Sequence, residues 1–349
     1  MPEPVIPRAR WTTWGQAMEH ALYGPDGFYR RGEWSGAHFR TSPQVGTAFG
    51  TAIARLACGL GLSRILEVGA GRGELLHAVH ASDPTLQLHG IDLTPRPALP
   101  PEAGWTTGRY RPGDRLPAGF DHQSLVVAHE WLDVIPVDVV CGTAHGPRLV
   151  LVDPLTGRER LGPPPGSSDA AWLRRWWSPL GVGDRAEVGR ARDAAWAGLV
   201  GSVSQGLVLA VDYTHRRESR PTGGSLAAYR GHRQITPVAD GSADLTAHVA
   251  VDALAAAGRR AGSPPPVLVT QSVALRALRV RSTVAAAPPV AAAPPDAPLT
   301  LRRLVAEAEV RELTALDGLG RFTWLAQAST PELHDTARRL LTGRSPNGR

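Results

Sequence analysis

The chain has 349 residues, 42% of them hydrophobic, enough for one large domain or two modest ones with a real core. No uncharged apolar run reaches the roughly 18 residues of a membrane span, and the opening MPEPVIPRAR reads as neither signal nor transit peptide, so a cytoplasmic location is expected. The formal charge is +6 and the pI about 10.1, but every basic residue is Arg and the arginines are scattered along the chain. That pattern reads as a coding bias, so neither a nucleic-acid nor a membrane partner is expected.

In chain order, WTTWGQAMEHALYGPDG predicts a helix from Thr13 to Leu22, stopped by Gly24, Pro25 and Gly27. A second helix is predicted over 44–60, with Phe49, Ile53 and Leu56 at helical spacing. RILEVGAGRGELLHAVHA reads as strand, glycine turn and helix, and LQLHGIDLTP and SLVVAHE as two further strands. Residues 137–153 carry two β-rich arms around TAHGP and predict a hairpin. PPPG at 163–166 marks a loop, and GLVLAVDY at 206–213 a buried strand. The Ala/Pro stretch 282–298 reads as a low-complexity loop, and FTWLAQAS at 322–329 as a late strand. Strands alternating with helices predict an α/β doubly wound sheet. Cys58 and Cys141 lie far apart, without a Cys-x-x-Cys partner, so each is expected as a small core residue, with no disulfide and no metal site.

Two stretches carry chemistry. In LEVGAGRG, Gly69, Gly71 and Gly73 follow a strand and precede a helix, and Asp92 ends the next strand, where an acid can accept both hydroxyls of a ribose. The spacing is Gly-x-Gly-x-Gly rather than the Gly-x-Gly-x-x-Gly of dinucleotide sites, and Glu67 stands just before it. A carboxylate there would repel a pyrophosphate and favour a cationic ligand. S-adenosylmethionine carries a sulfonium and an ammonium and no phosphate. The second stretch, SLVVAHEWLDVIP, ends a buried strand on His129, Glu130 and Asp133. A Glu ending such a strand needs a partner to offset desolvation, either a functional cation or a structural Arg. Asp133 also fits a turn or N-cap acid. ADLTAHV reads as a helix start capped by Thr or Asp, or as a segment over the substrate entrance, and His232 and His248 stay without a role.

With MEHALYGPDGFYRR, HFRTSPQVGTAFG, ILEVGAGRG, HEWLDVIPV, LVLAVDYTH, SLAAYRGHR, ADLTAHVAVDAL and LGRFTWLAQAS in this order, the chain resembles the MidA-like family of S-adenosylmethionine-dependent methyltransferases. That family includes the mitochondrial complex I assembly factor that methylates an arginine. The resemblance implies a Rossmann-like class I methyltransferase fold: a doubly wound, mostly parallel sheet with an N-terminal helical segment and inserted hairpin and helical regions. It implies a cap segment over 11–62, a methyltransferase domain over 63–330 with an insertion at 137–200, and a C-terminal helix and tail over 331–349. It places the Thr41–Ser42–Pro43 element over the cofactor, Ser42, Glu67, Gly69, Gly71, Asp92 and His129 as cofactor-binding residues, and Glu130 and Asp133 as catalytic residues. His129 stands where the family usually has Asn, and can become charged. Thr214 stands where a Gly commonly follows Asp-Tyr, here Asp212 and Tyr213. The expected reaction is methyl transfer to a guanidinium nitrogen of a protein arginine, with Glu130 as guanidinium clamp and base and Asp133 in support. The competing functions are a catalytically weak cofactor-binding assembly factor, a nicotinamide oxidoreductase, against which Glu67 argues, and a nucleic-acid methyltransferase, for which no Asn/Asp-Pro-Pro-Tyr pocket is present. A homodimer is left open.

Overall fold

The computed structural model describes residues 11–177, 179–280 and 299–343, so the Ala/Pro stretch 282–298 and the tail beyond residue 343 lie outside the described residues. The chain forms two compact units, each assembled from separate stretches. One takes the chain up to Glu33 with Val134–Ala191 and Arg217–Ala247, and the other takes Trp34–Asp133, Arg192–Arg216 and the chain from His248.

The larger unit is built on seven strands: β1 Arg64–Val68, β2 Gln87–Asp92, β3 Gly104–Thr107, β4 His122–His129, β5 Gln205–Asp212, β6 Val267–Thr270 and β7 Thr323–Ala328. Their order across the sheet is β6-β7-β5-β4-β1-β2-β3. β1 pairs in parallel with β2 and β4, β2 with β3, and β4 with β5. Only β7 runs against its neighbours, β5 and β6. The expected strands at LEV, LQLHGID, SLVVAH, GLVLAVD and FTWLAQA therefore all form. Leu125, Val126, Val127 and Ala128 of β4 are fully buried, as a central strand covered on both faces requires. β3 and β6 are four-residue edge strands with half-exposed patterns, which explains why no apolar run announces them.

The sheet order reverses between β1 and β4, and their carboxyl ends form the switch point where ligands of open α/β sheets bind. The helix Thr47–Gly59 packs on the helix Glu74–Ser82, with Phe49, Ile53 and Leu56 fully buried. A Cβ at Gly50 would lie 2.4 Å from the Ala78 Cβ, so glycine sets this close approach. Cys58 departs from expectation. It ends this helix exposed, donating its thiol to Asp83 Oδ2 at 3.2 Å, while Cys141 is half-buried; both are free thiols.

The smaller unit joins the helix Trp14–Tyr23 to a five-stranded sheet and a three-stranded one. Thr13 caps the helix in a capping box with Gln16, and Trp14, Met18 and Leu22 enter a core with Val139, Val150, Val152 and Leu245. The expected hairpin forms from Asp138–Cys141 and Arg148–Val152. Asp244–Thr246 corrects the reading of ADLTAHV as a helix start: it is a strand paired with Ala227–Arg230, and the helix begins only at Val251. Among the described residues, no helix is long and apolar enough to cross a membrane.

Candidate active site

The glycine turn closes on itself through Asp92. Gly69, Gly71 and Gly73 all have positive φ, at 74°, 56° and 77°. A Cβ on Gly69 would also meet Trp131 Cδ1 at 2.8 Å, so conformation and space both require glycine there. Asp92 Oδ2 accepts from the Gly71 amide at 2.9 Å and Oδ1 from the Thr94 amide at 2.8 Å, while the Thr94 hydroxyl donates to the Gly71 carbonyl at 2.9 Å. Burial pushes the Asp92 carboxyl above its ordinary range, and these bonds oppose it. The turn leads directly into the helix Glu74–Ser82, whose first amides carry the positive end of its dipole.

Glu67, on β1, lies between Gly90 of β2 and Val127 of β4 in register. It is 3% exposed, and among the described residues its Oε2 has no hydrogen-bond partner. Its carboxyl is raised well above the ordinary value, first by burial and then by Glu74 and Asp92, both of them acids. A buried carboxylate facing further acids is stabilised by a cation. The ammonium and sulfonium of S-adenosylmethionine fit that need, and a pyrophosphate does not. Glu67 and Asp92 are the residues that would hold it, on a turn whose own amides are spent within the protein.

At the end of β4 the backbone is strained. Glu130 has φ of 46°, in the left-handed region that a non-glycine residue seldom occupies, and its amide donates to the Val211 carbonyl of β5 at 2.9 Å. The His129 and Glu130 side chains are 5% and 4% exposed, and His129 Nε2 lies 3.1 Å from Glu130 Oε1. His129 lies edge-on to Phe49 at 5.2 Å, and Phe322 is 6.2 Å away. Burial lowers its pKa to about 3. The imidazole is therefore neutral near pH 7, the contact with Glu130 is not an ion pair, and the expectation that His129 can become charged is corrected.

Asp133 follows in a turn, 2% exposed. Its amide and that of Leu132 donate to Asp212 Oδ2 at 3.3 and 3.2 Å, and the Tyr213 amide donates to Asp212 Oδ1 at 2.8 Å. Burial pushes the Asp212 carboxyl up to about 7, against the pull of Arg192 and these three bonds. Arg192, 2% exposed, donates to the Asp133 carbonyl at 2.6 Å and to the His248 carbonyl at 3.0 Å. The His248 ring stacks on Tyr213 at 5.6 Å.

The structure thus gathers Glu67, His129, Glu130, Asp133 and Asp212 at the carboxyl ends of three adjacent strands. Ser42 is set differently. It opens the short helix Ser42–Val45, which Thr41 caps, and its hydroxyl is fully buried against Gln271, donating to Oε1 at 3.2 Å. Gln271 also donates to the Leu313 carbonyl and accepts from Trp324 Nε1. Asp244, on its strand in the smaller unit, accepts from the Tyr29 hydroxyl at 3.0 Å, and His232 sits at a left-handed turn position with φ of 63°. Arg192 and Gln271 are the residues that sequence reasoning missed.

Residues 109–266 match a protein family described as "Putative S-adenosyl-L-methionine-dependent methyltransferase". The matched stretch holds the loop after β4, Arg192 and Asp212, while the glycine turn precedes it. Among solved structures, the chain is similar to a COG1565 superfamily member from Burkholderia thailandensis bound to S-adenosyl-homocysteine. Identity is 23%, coverage 91% of this chain and 88% of that one, and the TM-score 0.74. A native structure of a COG1565 superfamily protein from the same organism gives 22% identity, 91% and 87% coverage and a TM-score of 0.73. Both likenesses are of fold. No curated protein matches the sequence.

Proposed function

We propose that this S-adenosylmethionine-dependent methyltransferase acts on an arginine side chain of a protein, with Glu130 as the group that grips the guanidinium. The observation that carries the reading is the strained Glu130 at the switch point, with φ of 46° and its carboxyl nearly fully buried. Such strain persists only where the surroundings impose it, and it clusters at functional sites. A relaxed strand end would cost less, so the strain is spent on where the carboxyl points.

When bound, S-adenosylmethionine supplies a methyl group whose C–S bond breaks as the new N–C bond forms. Glu67 balances positive charge beside the glycine turn. A guanidinium is a poor nucleophile because its lone pairs are delocalised, and a carboxylate that accepts from it localises density on one nitrogen. Glu130 then holds the proton that the methylated nitrogen sheds, and the neutral His129 beside it adds no charge to compete with the substrate. Asp133 adds negative charge from the same turn. This reading takes a protein as partner, not a nucleic acid or a membrane, and places the enzyme in the cytoplasm.

The test is transfer of labelled methyl groups into lysate proteins by wild type and Glu130→Gln, followed by hydrolysis and identification of the labelled amino acid. Label on methylarginine, lost in Glu130→Gln while S-adenosylmethionine still binds, is the expected result. Label on another amino acid, or unchanged turnover by Glu130→Gln, overturns it.

A further inference from the structure

We propose that Asp212 and Arg192 are a positioning pair: between them they clamp the Asp133 backbone and hold the strained segment from Glu130 to Asp133 in its working form. The role in turnover rests on Glu130 gripping the substrate; the clamp itself rests on geometry alone.

Three backbone N–H groups converge on the Asp212 carboxylate, from Leu132, Asp133 and Tyr213, so this acid is turned to its own backbone rather than offered to a ligand. A carboxylate has about four acceptor sites, and three are taken. Arg192 grips the same residue from its other side, since the Asp133 amide goes to Asp212 while the Asp133 carbonyl goes to Arg192. The second Arg192 contact, to the His248 carbonyl, fixes the guanidinium plane. The start of the segment is tied to the same strand, through the Glu130 amide on the Val211 carbonyl. Both ends are thus fastened to adjacent positions at the end of β5, and the four-residue span between them has little freedom to relax. This is the over-determination that a left-handed glutamate needs. Among the described residues, the charged group acting on Asp212 is the Arg192 guanidinium, and the His248 ring stacks on the adjacent Tyr213.

The test uses Asp212→Asn, in which one carboxylate oxygen becomes an amide that cannot accept an N–H bond, alone and with Glu130→Gln or Glu130→Gly. Hydrogen exchange of the Leu132 and Asp133 amides is expected to quicken in Asp212→Asn; unchanged exchange overturns the clamp. Turnover is expected to fall on the order of 10²-fold, as small misplacements of a reacting group do, with the S-adenosylmethionine affinity unchanged. The double variant with Glu130→Gln should be no slower than Glu130→Gln alone, because Asp212 acts through Glu130. Full additivity of the two losses overturns the proposal. Glu130→Gly should raise the denaturation midpoint in the wild-type background and leave it unmoved in Asp212→Asn, where the strain is already released; equal shifts in both overturn it. If Glu130→Gln turns over normally, the guanidinium reading falls, while exchange and the glycine cycle still decide the clamp. Should Asp212→Asn fail to fold, Arg192→Lys takes its place, since one ammonium on a flexible stem does not reproduce the fixed fork between the two carbonyls.

Discussion

With S-adenosylmethionine placed beside Glu67 as proposed, its binding is a proton-linked event. The Glu67 carboxyl is raised well above the ordinary 4.5 by burial, with Glu74 and Asp92 adding to the shift. In the free protein a fraction of Glu67 therefore carries a proton at pH values where an exposed Glu is fully ionised. A cation bound beside it favours the charged form, lowers the carboxyl and expels the proton. The sign follows directly: affinity rises with pH below the raised value and levels off above it. The limiting slope is about tenfold per pH unit, or about 1.4 kcal/mol, with at most one proton released for each ligand bound. Calorimetric titration with S-adenosylmethionine in two buffers of different ionisation enthalpy reads the proton directly. Repeating it with Glu67→Gln should abolish both the release and the slope and weaken binding at high pH. The same buried acid opposes folding when ionised. Its contribution to stability is present below 4.5 and lost as pH rises through the raised value. Glu67→Gln should therefore stabilise the free protein at high pH while weakening the complex. Buffer-independent heats together with wild-type affinity in Glu67→Gln would refute the reasoning.

Gly69→Ala forces a side chain onto a φ of 74° and brings a Cβ within 2.8 Å of Trp131. A left-handed residue costs about 1–2 kcal/mol and overpacking about 1–3 kcal/mol, so urea denaturation should show a loss of roughly 2–5 kcal/mol. A loss under half of that would mean that the turn relaxes freely. Glu130→Gly should abolish methyl transfer while raising stability by about 1 kcal/mol, the strain of a left-handed non-glycine residue; a destabilised variant would contradict the strained assignment. Asp212, raised to about 7 from 3.8, contributes stability that is full below 3.8 and lost as pH rises through about 7. The thermal midpoint of the free protein should fall across that range, and Asp212→Asn should flatten the curve; an unchanged curve in the variant would place the titration elsewhere.

The parts of the site that could be read in the sequence are those where one residue type answers a local demand. Continuous apolar runs gave away β4 and β5 because both their faces are covered, and the glycines of the turn gave away a backbone with positive φ. Glu67 was legible because a carboxylate before such a turn conflicts with a phosphate ligand. Asp133 shows the limit. Its partners across the turn, Asp212 and Arg192, stand 79 and 59 residues along the chain, and no local pattern links them. The smaller unit is drawn from three separate stretches, and its strands at Arg185–Val188 and Asp244–Thr246 are short and pair outside any local hairpin turn, with Asp138–Cys141 and Ala227–Arg230, so ADLTAHV looked like a helix start. The state of His129 depends on Phe49 and Phe322 closing around it, which a strand pattern does not express.

Arg192 differs from these, because its signal is present in the sequence. The helix Arg190–Ser202 buries Ala195, Trp196 and Leu199, and Arg192 precedes them by three, four and seven positions. It therefore lies on the apolar stripe, while Arg190 on the same helix pairs with Asp169 and is half-exposed. A guanidinium placed on a buried stripe must find acceptors, and the backbone carbonyls of Asp133 and His248 provide them. In a chain whose 38 basic residues are all arginine, the count conceals this residue and only its phase along the helix exposes it. The same criterion, charge in register with the buried stripe, separates an arginine that shapes the site from those that only solvate the surface.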